Sequence, residues 1–411
     1  MKRRSTDQQC TAPRRRGTLT VWTLLVMVSC ICCVSLVANT GYLSSLRSDS
    51  HHCAQAAALA AGRRLLTDDI LRRSRQDFEV DAWHLNAQNA AIEMGQVYAA
   101  DCGVPQLTPG HITIEMGAIA VAHIGRAPDS GTFPPRVHVN VANHDANESS
   151  GNFVLGSLIG ITHGIISERS QAILENQIVG FRPGPQSATP IVPLALPDDP
   201  TCNTTHCWST EIETDRGQDR FTWDDSTDAV RSGPDRLSEL VLTIKSGDTP
   251  GGPGIAQLVS WNTQTSVKDA LAQFAAGLGQ QHLSADGDGV LVFPSAAGQV
   301  PIDSGDVREL AEVIRPLIGS ARIFPLYDAS ESALKSTAES DVAGRSLHTT
   351  AANHQILRVV AARIIRLEDI SDQQIRIVLQ PTVLSTPTAV VSAANETTPH
   401  NRYVWKIRLA E

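Results

Sequence analysis

The sequence predicts a mixed α+β fold in which a single apolar helix near the N-terminus precedes a larger region of strands and helices. Leu19–Ala38, "LTVWTLLVMVSCICCVSLVA", is a run of twenty residues without a charged side chain. Later segments alternate between the helical period of 3.6 and the strand period of 2. At 411 residues the chain has room for two or three domains. We divide it into a basic head (1–16), a transmembrane anchor (17–46), an alanine-rich helical stalk (47–103), a β-rich outer region (104–200) and an α+β outer region (201–411).

The apolar run predicts a transmembrane anchor. Twenty helical residues extend about 30 Å, the thickness of a bilayer's hydrocarbon core. A cleaved signal peptide is the alternative, but its apolar region is usually about 7–15 residues long and ends in a small-x-small site. Cleavage after Ala38 would place Leu36 at the third position back, which fits that site poorly. We therefore expect residues 19–41 to contact the lipid bilayer.

The charge distribution predicts the orientation of the anchor. Residues 1–46 carry a formal charge of +5 and the whole chain carries −9, so the remaining residues carry −14. The positive-inside rule then places the head in the cytoplasm and the chain after about residue 45 outside the cytoplasmic membrane. An ectodomain this acidic is repelled by polyanions, so we expect no nucleic-acid partner.

An alanine-rich stretch follows the anchor. Residues 51–66 read "HHCAQAAALAAGRRLL" and favour a helix that continues the anchor outward. Ala57, Ala58, Ala60 and Ala61 are predicted to form a packing face, because small side chains let a second helix approach closely. A second helix is predicted over residues 77–103, ending at Gly103 and Pro105. Its predicted packing positions are Val80, Trp83, Ala87, Ala91, Met94 and Tyr98.

The outer regions contain strand and helix patterns. In residues 136–142, "RVHVNVA", the valines alternate with polar residues, as in a half-buried strand. Residues 180–200 contain six prolines and are interpreted as a linker or an irregular edge. Further predicted elements are a strand at 239–245, a helix at 266–279 with Ser266 as its N-cap, an amphipathic helix at 306–319, and strands at 356–368, 373–381 and 402–410.

The cysteines on the outer side suggest one disulfide. Cys202 and Cys207 lie five residues apart in "TCNTTHCW", in a region where oxidation is permitted. Zinc bound with His206 is the alternative, but no second ligand pair with metal spacing follows. Cys10, Cys53 and Cys102 have no evident partner in the sequence.

The sequence contains none of the H-E-x-x-H, G-x-S-x-G, P-loop or G-x-G-x-x-G signatures, so we expect no enzyme and no cofactor. The nearest to a metal motif is Asp328, Ser330 and Ser332, which resembles the D-x-S-x-S magnesium loop of von Willebrand A-type domains. Hard oxygen ligands at that spacing suit such a cation. Those domains need well over a hundred residues after the motif, but only 79 follow Ser332 here. A polar cap at the end of a strand is the other interpretation.

The N-terminal residues resemble the TadG-like proteins of the tight adherence (Tad, Flp-type) pilus-assembly system. The resemblance covers about fifty residues and rests on three features in the family's order: the Arg-Arg-Gly start at 15–17, the Gly-Tyr-Leu at 41–43, and the alanine helix at 56–61. The family usually has aspartate where Asn39 stands. The related pseudopilins carry a glutamate five residues after the processing glycine, where this chain has Trp22. That departure favours a permanently anchored protein over a fibre subunit.

The resemblance implies a function in pilus or secretion assembly. On this interpretation the protein is a single-pass protein of the cytoplasmic (inner) membrane, and its partners are other pilus-assembly membrane proteins. It would act through contacts of its ectodomain and of the small-residue helix. Two alternatives of another class are a membrane-tethered metal-dependent adhesin using Asp328, and a hydrolase of unrecognised type.

Overall fold

The computed structural model describes residues 17–72, 80–102, 108–109, 112–115, 136–142, 167–199, 201–247, 254–262, 266–283, 288–329, 353–392 and 400–410. Within these ranges the fold is mixed α+β, as predicted. The α-helices are α1 (Gly17–Leu65), α2 (Val80–Cys102), α3 (Val267–Ala276) and α4 (Ser304–Ile314). The strands are β1 (Ile112–Glu115), β2 (Arg136–Ala142), β3 (Ser167–Glu175), β4 (Ile178–Phe181), β5 (Leu194–Asp198), β6 (Phe221–Asp224), β7 (Ala229–Ser232), β8 (Leu240–Lys245), β9 (Gln257–Ser260), β10 (Leu291–Val292), β11 (Ser295–Gln299), β12 (Ala321–Asp328), β13 (Asn353–Ser371), β14 (Gln374–Pro381), β15 (Leu384–Ser385), β16 (Ala389–Val391) and β17 (Val404–Ala410).

The anchor and the alanine-rich stretch form one uninterrupted helix, α1, of 49 residues. The described part of the chain has one helix that is long and apolar enough to cross a membrane, over Leu19–Leu65. The N-terminal half of α1 is largely exposed, whereas its C-terminal half packs against α2, β2, β3 and β17. The predicted continuation of the helix beyond the apolar run is therefore confirmed.

Two main sheets make up the β structure. The five-stranded sheet has the order β1-β2-β3-β17-β15, and the C-terminal half of α1 lies against it. The seven-stranded sheet has the order β11-β9-β5-β12-β13-β14-β8. Because β11 also pairs with the start of β13, the strands from β11 to β13 close into a ring. Two smaller sheets, β10-β4-β16 and the β6-β7 ribbon, complete the fold.

The two short helices have clear local causes. Ser266 caps α3 by accepting a hydrogen bond from the backbone N–H of Asp269, whose carboxylate accepts in return from the backbone N–H of Ser266. Asp303 and Asp306 form the same capping box at the start of α4, so this helix begins two residues before its predicted start. The predicted apolar face of α4 is confirmed, and it packs on β13 and β14. Its buried residues are Val307, Leu310, Ala311 and Ile314, followed by Leu317 in the next turn.

The interpretation of residues 180–200 as a linker or irregular edge is wrong. Leu194–Asp198 is a fully buried strand inside the seven-stranded sheet, between β9 and β12. Proline lacks a donor but keeps its carbonyl, and the carbonyl of Pro193 accepts a hydrogen bond from the N–H of Val259 at 2.9 Å. Burial of the apolar side chains around the prolines is favourable in free energy, which stabilises this segment inside the sheet.

Strands from both predicted outer regions share sheets. β5 lies in the same sheet as β12, and β3 pairs with the C-terminal strand β17. The two regions on either side of residue 200 are thus interleaved by strand pairing. In the second helix, Trp83, Ala87 and Ala91 are buried as predicted, but Met94 is exposed.

Candidate functional site

The alanine face of α1 is buried inside the chain's own ectodomain. Ala57, Ala58 and Ala61 have no exposed surface, and Ala60 is half-buried. Small residues of α2 meet this face, as close helix–helix contact requires. The other buried members of this apolar cluster are Cys53, Ala54, Leu65, Trp83, Ala87, Ala91, Val137, Val139, Val141, Ala172, Leu174 and Trp405. The packing surface predicted for a second helix therefore receives α2 and a sheet of the same chain.

Polar contacts hold the C-terminal half of α1 to its surroundings. The indole Nε1 of Trp83 donates to the carbonyl of Leu65 at 3.0 Å, which satisfies one of the free carbonyls at the helix end. Nearer the exposed half, the Nε atom of Arg47 lies 3.0 Å from Oε1 of Glu168 on β3. Because the Arg47 side chain is 71% exposed, this ion pair contributes little energy and mainly orients the helix.

Asp68 links the end of α1 to the seven-stranded sheet. Its carboxylate accepts hydrogen bonds from the hydroxyl of Thr382 at 2.7 Å and from the backbone N–H of Val383 at 2.8 Å. Arg363 of β13 donates to the same carboxylate at 3.3 Å. The guanidinium of Arg363 also lies 4.3 Å from the ring centroid of Trp223, a cation–π contact. These contacts connect the helix to both sheets.

The N-terminal half of α1 carries large apolar side chains that are mostly exposed. Twelve of them between Leu19 and Val37 are 48% to 71% exposed. Burying such a side chain is worth about 1.5–3 kcal/mol, so removing all twelve from water gains on the order of 20–35 kcal/mol. Soluble domains rarely expose so large an apolar stripe, and large exposed stripes mark membrane or protein contacts. They are Leu19, Val21, Trp22, Leu24, Leu25, Val26, Met27, Val28, Ile31, Val34, Leu36 and Val37.

A second polar site lies where β5 and β12 end side by side. The strands are parallel, and Asp198 is paired in register with Asp328. Asp198 is fully buried and accepts from the backbone N–H of Ser209 at 3.0 Å and from its hydroxyl at 2.6 Å. Arg358 of β13 donates to Asp198 through Nε at 3.2 Å and Nη2 at 3.0 Å, and to Glu213 through Nη1 at 2.7 Å.

The charges in this cluster compensate one another. Burial by itself lowers the pKa of the Arg358 guanidinium, but the carboxylates of Asp198 and Glu213 outweigh burial and raise that pKa above its ordinary value. Arg358 therefore keeps its charge. Ser209 begins a π-helical turn and Glu213 ends it, so the cluster holds that turn against the end of the sheet. Asp198 is fully buried, whereas the Arg358 side chain is 41% exposed, so the arrangement is a half-buried ion-pair cluster that fixes a local conformation.

Asp199 organises the loop that follows. Its carboxylate accepts from the backbone N–H groups of Thr201 at 2.9 Å, Asn203 at 3.1 Å and Thr204 at 2.7 Å. Burial alone raises the pKa of Asp199, but the hydrogen bonds from Thr201 and Thr204 together have the larger effect and lower the pKa to about 2. The loop therefore carries a permanently ionised carboxylate at its centre.

The predicted disulfide between Cys202 and Cys207 is not formed, and both thiols are free. Cys202 lies in the loop organised by Asp199, with a backbone φ of 56°, and is partly exposed. Cys207 is fully buried in an apolar cluster that includes Ala195, Val259 and Tyr327. Burial raises the pKa of the Cys207 thiol to about 12, so it is protonated and a poor nucleophile at neutral pH. The two side chains belong to different environments, which sequence spacing does not reveal.

The residues of the D-x-S-x-S motif are only partly within the described chain. Asp328 ends β12, while Ser330 and Ser332 lie outside the described residues. In the ranges described, no group of three or more His, Cys, Asp or Glu side chains is arranged to hold a metal ion. The metal interpretation of these three residues stays a prediction. The position beside Asp328 on β5 is occupied by Asp198, whose charge Arg358 already balances.

Sequence reasoning missed the Asp198 cluster. Two successive aspartates after an apolar stretch are a signal for polar groups at a strand end, but the prolines around them favoured a linker. Arg358 is 160 positions away in the sequence, and only the folded sheet places it beside Asp198.

Comparison of the chain with protein-family models, with curated proteins and with solved structures gave no match. We therefore infer function from the geometry of the chain and from its N-terminal sequence.

Proposed function

We propose that this protein is a single-pass membrane protein that holds an α+β ectodomain outside the cytoplasm. The observation that carries the proposal is the change of environment along α1. Its first half exposes twelve large apolar side chains, whereas from Leu46 onward one face of the same helix is buried in the ectodomain. A bilayer supplies the missing cover for the first half, and its thickness of about 30 Å matches the apolar length. The same helix thus serves as anchor and as core element.

The proposed orientation places residues 1–16 in the cytoplasm. Lys and Arg residues precede the apolar run, and the acidic remainder follows it. Because α1 has no break between its two halves, the anchor is joined directly to the sheet on which α1 lies. The contacts of Asp68 extend this connection to the seven-stranded sheet.

We further propose that the protein is an accessory component of a Tad-type pilus or secretion assembly and acts through protein contacts. The support is the TadG-like order of the Arg-Arg-Gly start, the Gly-Tyr-Leu and the alanine helix. The structure changes the expected mechanism in one respect. The alanine face is occupied within the chain, so the surfaces left for partners are the exposed sides of the anchor and of the ectodomain.

Topology is tested with a reporter enzyme that is active only outside the cytoplasm. Fused after residue 411, it should be active, and the protein should stay in the membrane fraction with an intact N-terminus. Fused after residue 16 in a truncated control, it should be inactive. Recovery of a soluble chain beginning near Asn39 would establish a cleaved signal peptide instead.

The assembly role is tested in cells that depend on this protein as their TadG-like component. Deletion of the gene should abolish pili or secretion, and the full-length protein should restore them. A matched variant replaces residues 19–38 by an unrelated apolar helix of equal length, which preserves anchoring. If the other assembly proteins still co-purify with one another as usual when the gene is deleted, the assembly role is contradicted. The anchor proposal would be unaffected by that result.

A further inference from the structure

One face of the seven-stranded sheet carries a charged groove. On β8, Leu240, Leu242 and Ile244 point to the core, so the alternate residues Val241, Thr243 and Lys245 face outward. The register places Val378 beside Val241 and Arg376 beside Thr243 on β14. On β13, Arg366 and Glu368 continue the same rows. Three adjacent strands thus form the floor of the groove.

Loops form its two walls. One contains Gln218 and Arg220, and the other side is formed by Gly254 together with His206 of a separate loop, whose carbonyl accepts from the N–H of Gly254 at 3.1 Å. Each wall is attached to the edge of β8, because the N–H of Glu239 donates to the carbonyl of Gln218 at 2.6 Å and the N–H of Thr243 donates to that of Gly254 at 2.8 Å. The enclosed space has a volume of about 550 Å³. This is the size of a site for a small or short-chain ligand.

The groove is basic in a chain that is otherwise acidic. Four cationic side chains line it, namely Arg220, Lys245, Arg366 and Arg376, against two carboxylates. The carboxylate of Glu368 is shared by Arg366 at 2.9 Å and Arg376 at 3.3 Å. Among the described residues, neither Arg220 nor Lys245 has an ion-pair partner, and both are exposed.

The second carboxylate, of Glu239, is not available to neutralise these cations. It is 2% exposed and accepts the backbone N–H groups of Arg220 at 2.9 Å and Phe221 at 2.6 Å. Even with both carboxylates counted, the lining has a formal charge of +2 with His206 neutral, whereas the chain as a whole has −9. A positive groove on a negative protein concentrates anionic ligands and selects against cationic ones.

We propose that this groove binds a short acidic peptide segment of a partner protein. In an antiparallel ladder, successive residues point their backbone N–H and C=O groups to opposite sides of the strand. Those of Val241 therefore face the free edge of β8, between the bridges at Glu239 and Thr243. Only these two groups are open, because neighbouring segments already pair with Glu239 and Thr243. A peptide that lies across the groove can form hydrogen bonds with them while its carboxylates meet Arg220 and Lys245. Val241 and Val378 supply apolar contacts for side-chain stems. Phosphate sites typically use a helix N-terminus, and none lines this groove.

This inference does not depend on the membrane anchor or on the pilus assignment. The experiment uses the full-length protein in mild detergent and a fluorescently labelled hexaglutamate peptide, with a hexaglutamine peptide as control. Hexaglutamate should bind, hexaglutamine should not, and raising the salt from low ionic strength to about 0.5 M should weaken binding, because added salt screens partly exposed charges. Arg220→Gln with Lys245→Gln should lower the affinity about tenfold, since both exposed cations that meet the peptide carboxylates lose their charge.

A matched control removes two positive charges elsewhere, by Lys268→Gln with Arg308→Gln on the exposed sides of α3 and α4. This control should bind hexaglutamate like the parent protein. Equal loss in both double variants would mean a nonspecific field effect and would overturn the site. Equal binding of the two peptides would overturn charge recognition. Displacement by millimolar inorganic phosphate as effectively as by unlabelled hexaglutamate would assign the groove to phosphate ligands and overturn the peptide assignment.

Discussion

Replacing Ala57 and Ala61 together by leucine should destabilise the ectodomain itself. Both methyl groups are fully buried against α2 and the five-stranded sheet, so an isobutyl group at either site has no space. Overpacking costs about 1–3 kcal/mol at each site. The two positions are one helical turn apart and share neighbours, so the costs are not strictly additive, and we expect about 2–5 kcal/mol in total. Leucine is nearly as good a helix former as alanine, so the helix itself is retained.

The measurement is urea unfolding of the full-length protein in mild detergent, followed by tryptophan fluorescence. Trp83 and Trp405 belong to the same apolar cluster and contribute to the signal. Such domains have about 5–15 kcal/mol of total stability, so the transition should move to clearly lower urea. The matched control is Ala60→Leu, the same change at a half-buried position of the same helix. If the double variant and the control unfold at the same urea concentration, the intramolecular packing described here is wrong, and a partner-facing role for the alanines regains support.

Two further predictions concern ionisable groups of the ectodomain. Cys202 should react with a thiol reagent at pH 8 before Cys207 does. Cys207 should react only on unfolding, because its burial raises the pKa of the thiol to about 12. Mass mapping that finds a Cys202–Cys207 disulfide would contradict this prediction. Burial raises the pKa of Asp235 from its ordinary value of 3.8 to about 6. Between these values the folded state holds a proton that the unfolded state releases, so this group's contribution to stability should fall by about 2–3 kcal/mol as the pH rises from 4 to above 6. Urea midpoints across this range should show that decline in the parent protein but not in Asp235→Asn; parallel curves would refute the assignment.

The helical part of the fold follows from local sequence rules. An uncharged run of twenty residues predicts a membrane-spanning helix by its length and composition. The continuation predicts a helix because alanine is the best helix former. Ser266 identified the start of α3 because its capping box involves residues three apart. The alternating valines of residues 136–142 identified β2, since one face of that strand is buried and the other is not.

The candidate sites could not be predicted in the same way. The buried strand Leu194–Asp198 was mistaken for a linker, since proline is rare inside a sheet and only its neighbours β9 and β12 show how the remaining groups pair. The Asp198–Arg358 pair and the basic groove join residues that are more than a hundred positions apart. Such contacts leave no periodic pattern, because each depends on strand order and register.

We could predict the apolar helix, its flanking charge, its alanine-rich continuation and the α+β class, since these depend on composition and on short spacings. The folded chain was needed to show what the alanines touch, whether Cys202 and Cys207 meet, and where positive side chains cluster. The physical reason is that small side chains indicate a close contact but do not identify the surface that makes it. Spacing in the sequence gives the separation of two residues along the chain but not their distance in the fold. Which surface approaches, and which thiols or guanidinium groups come together, is set by long-range strand pairing and by packing of α1 on α2 and the sheet.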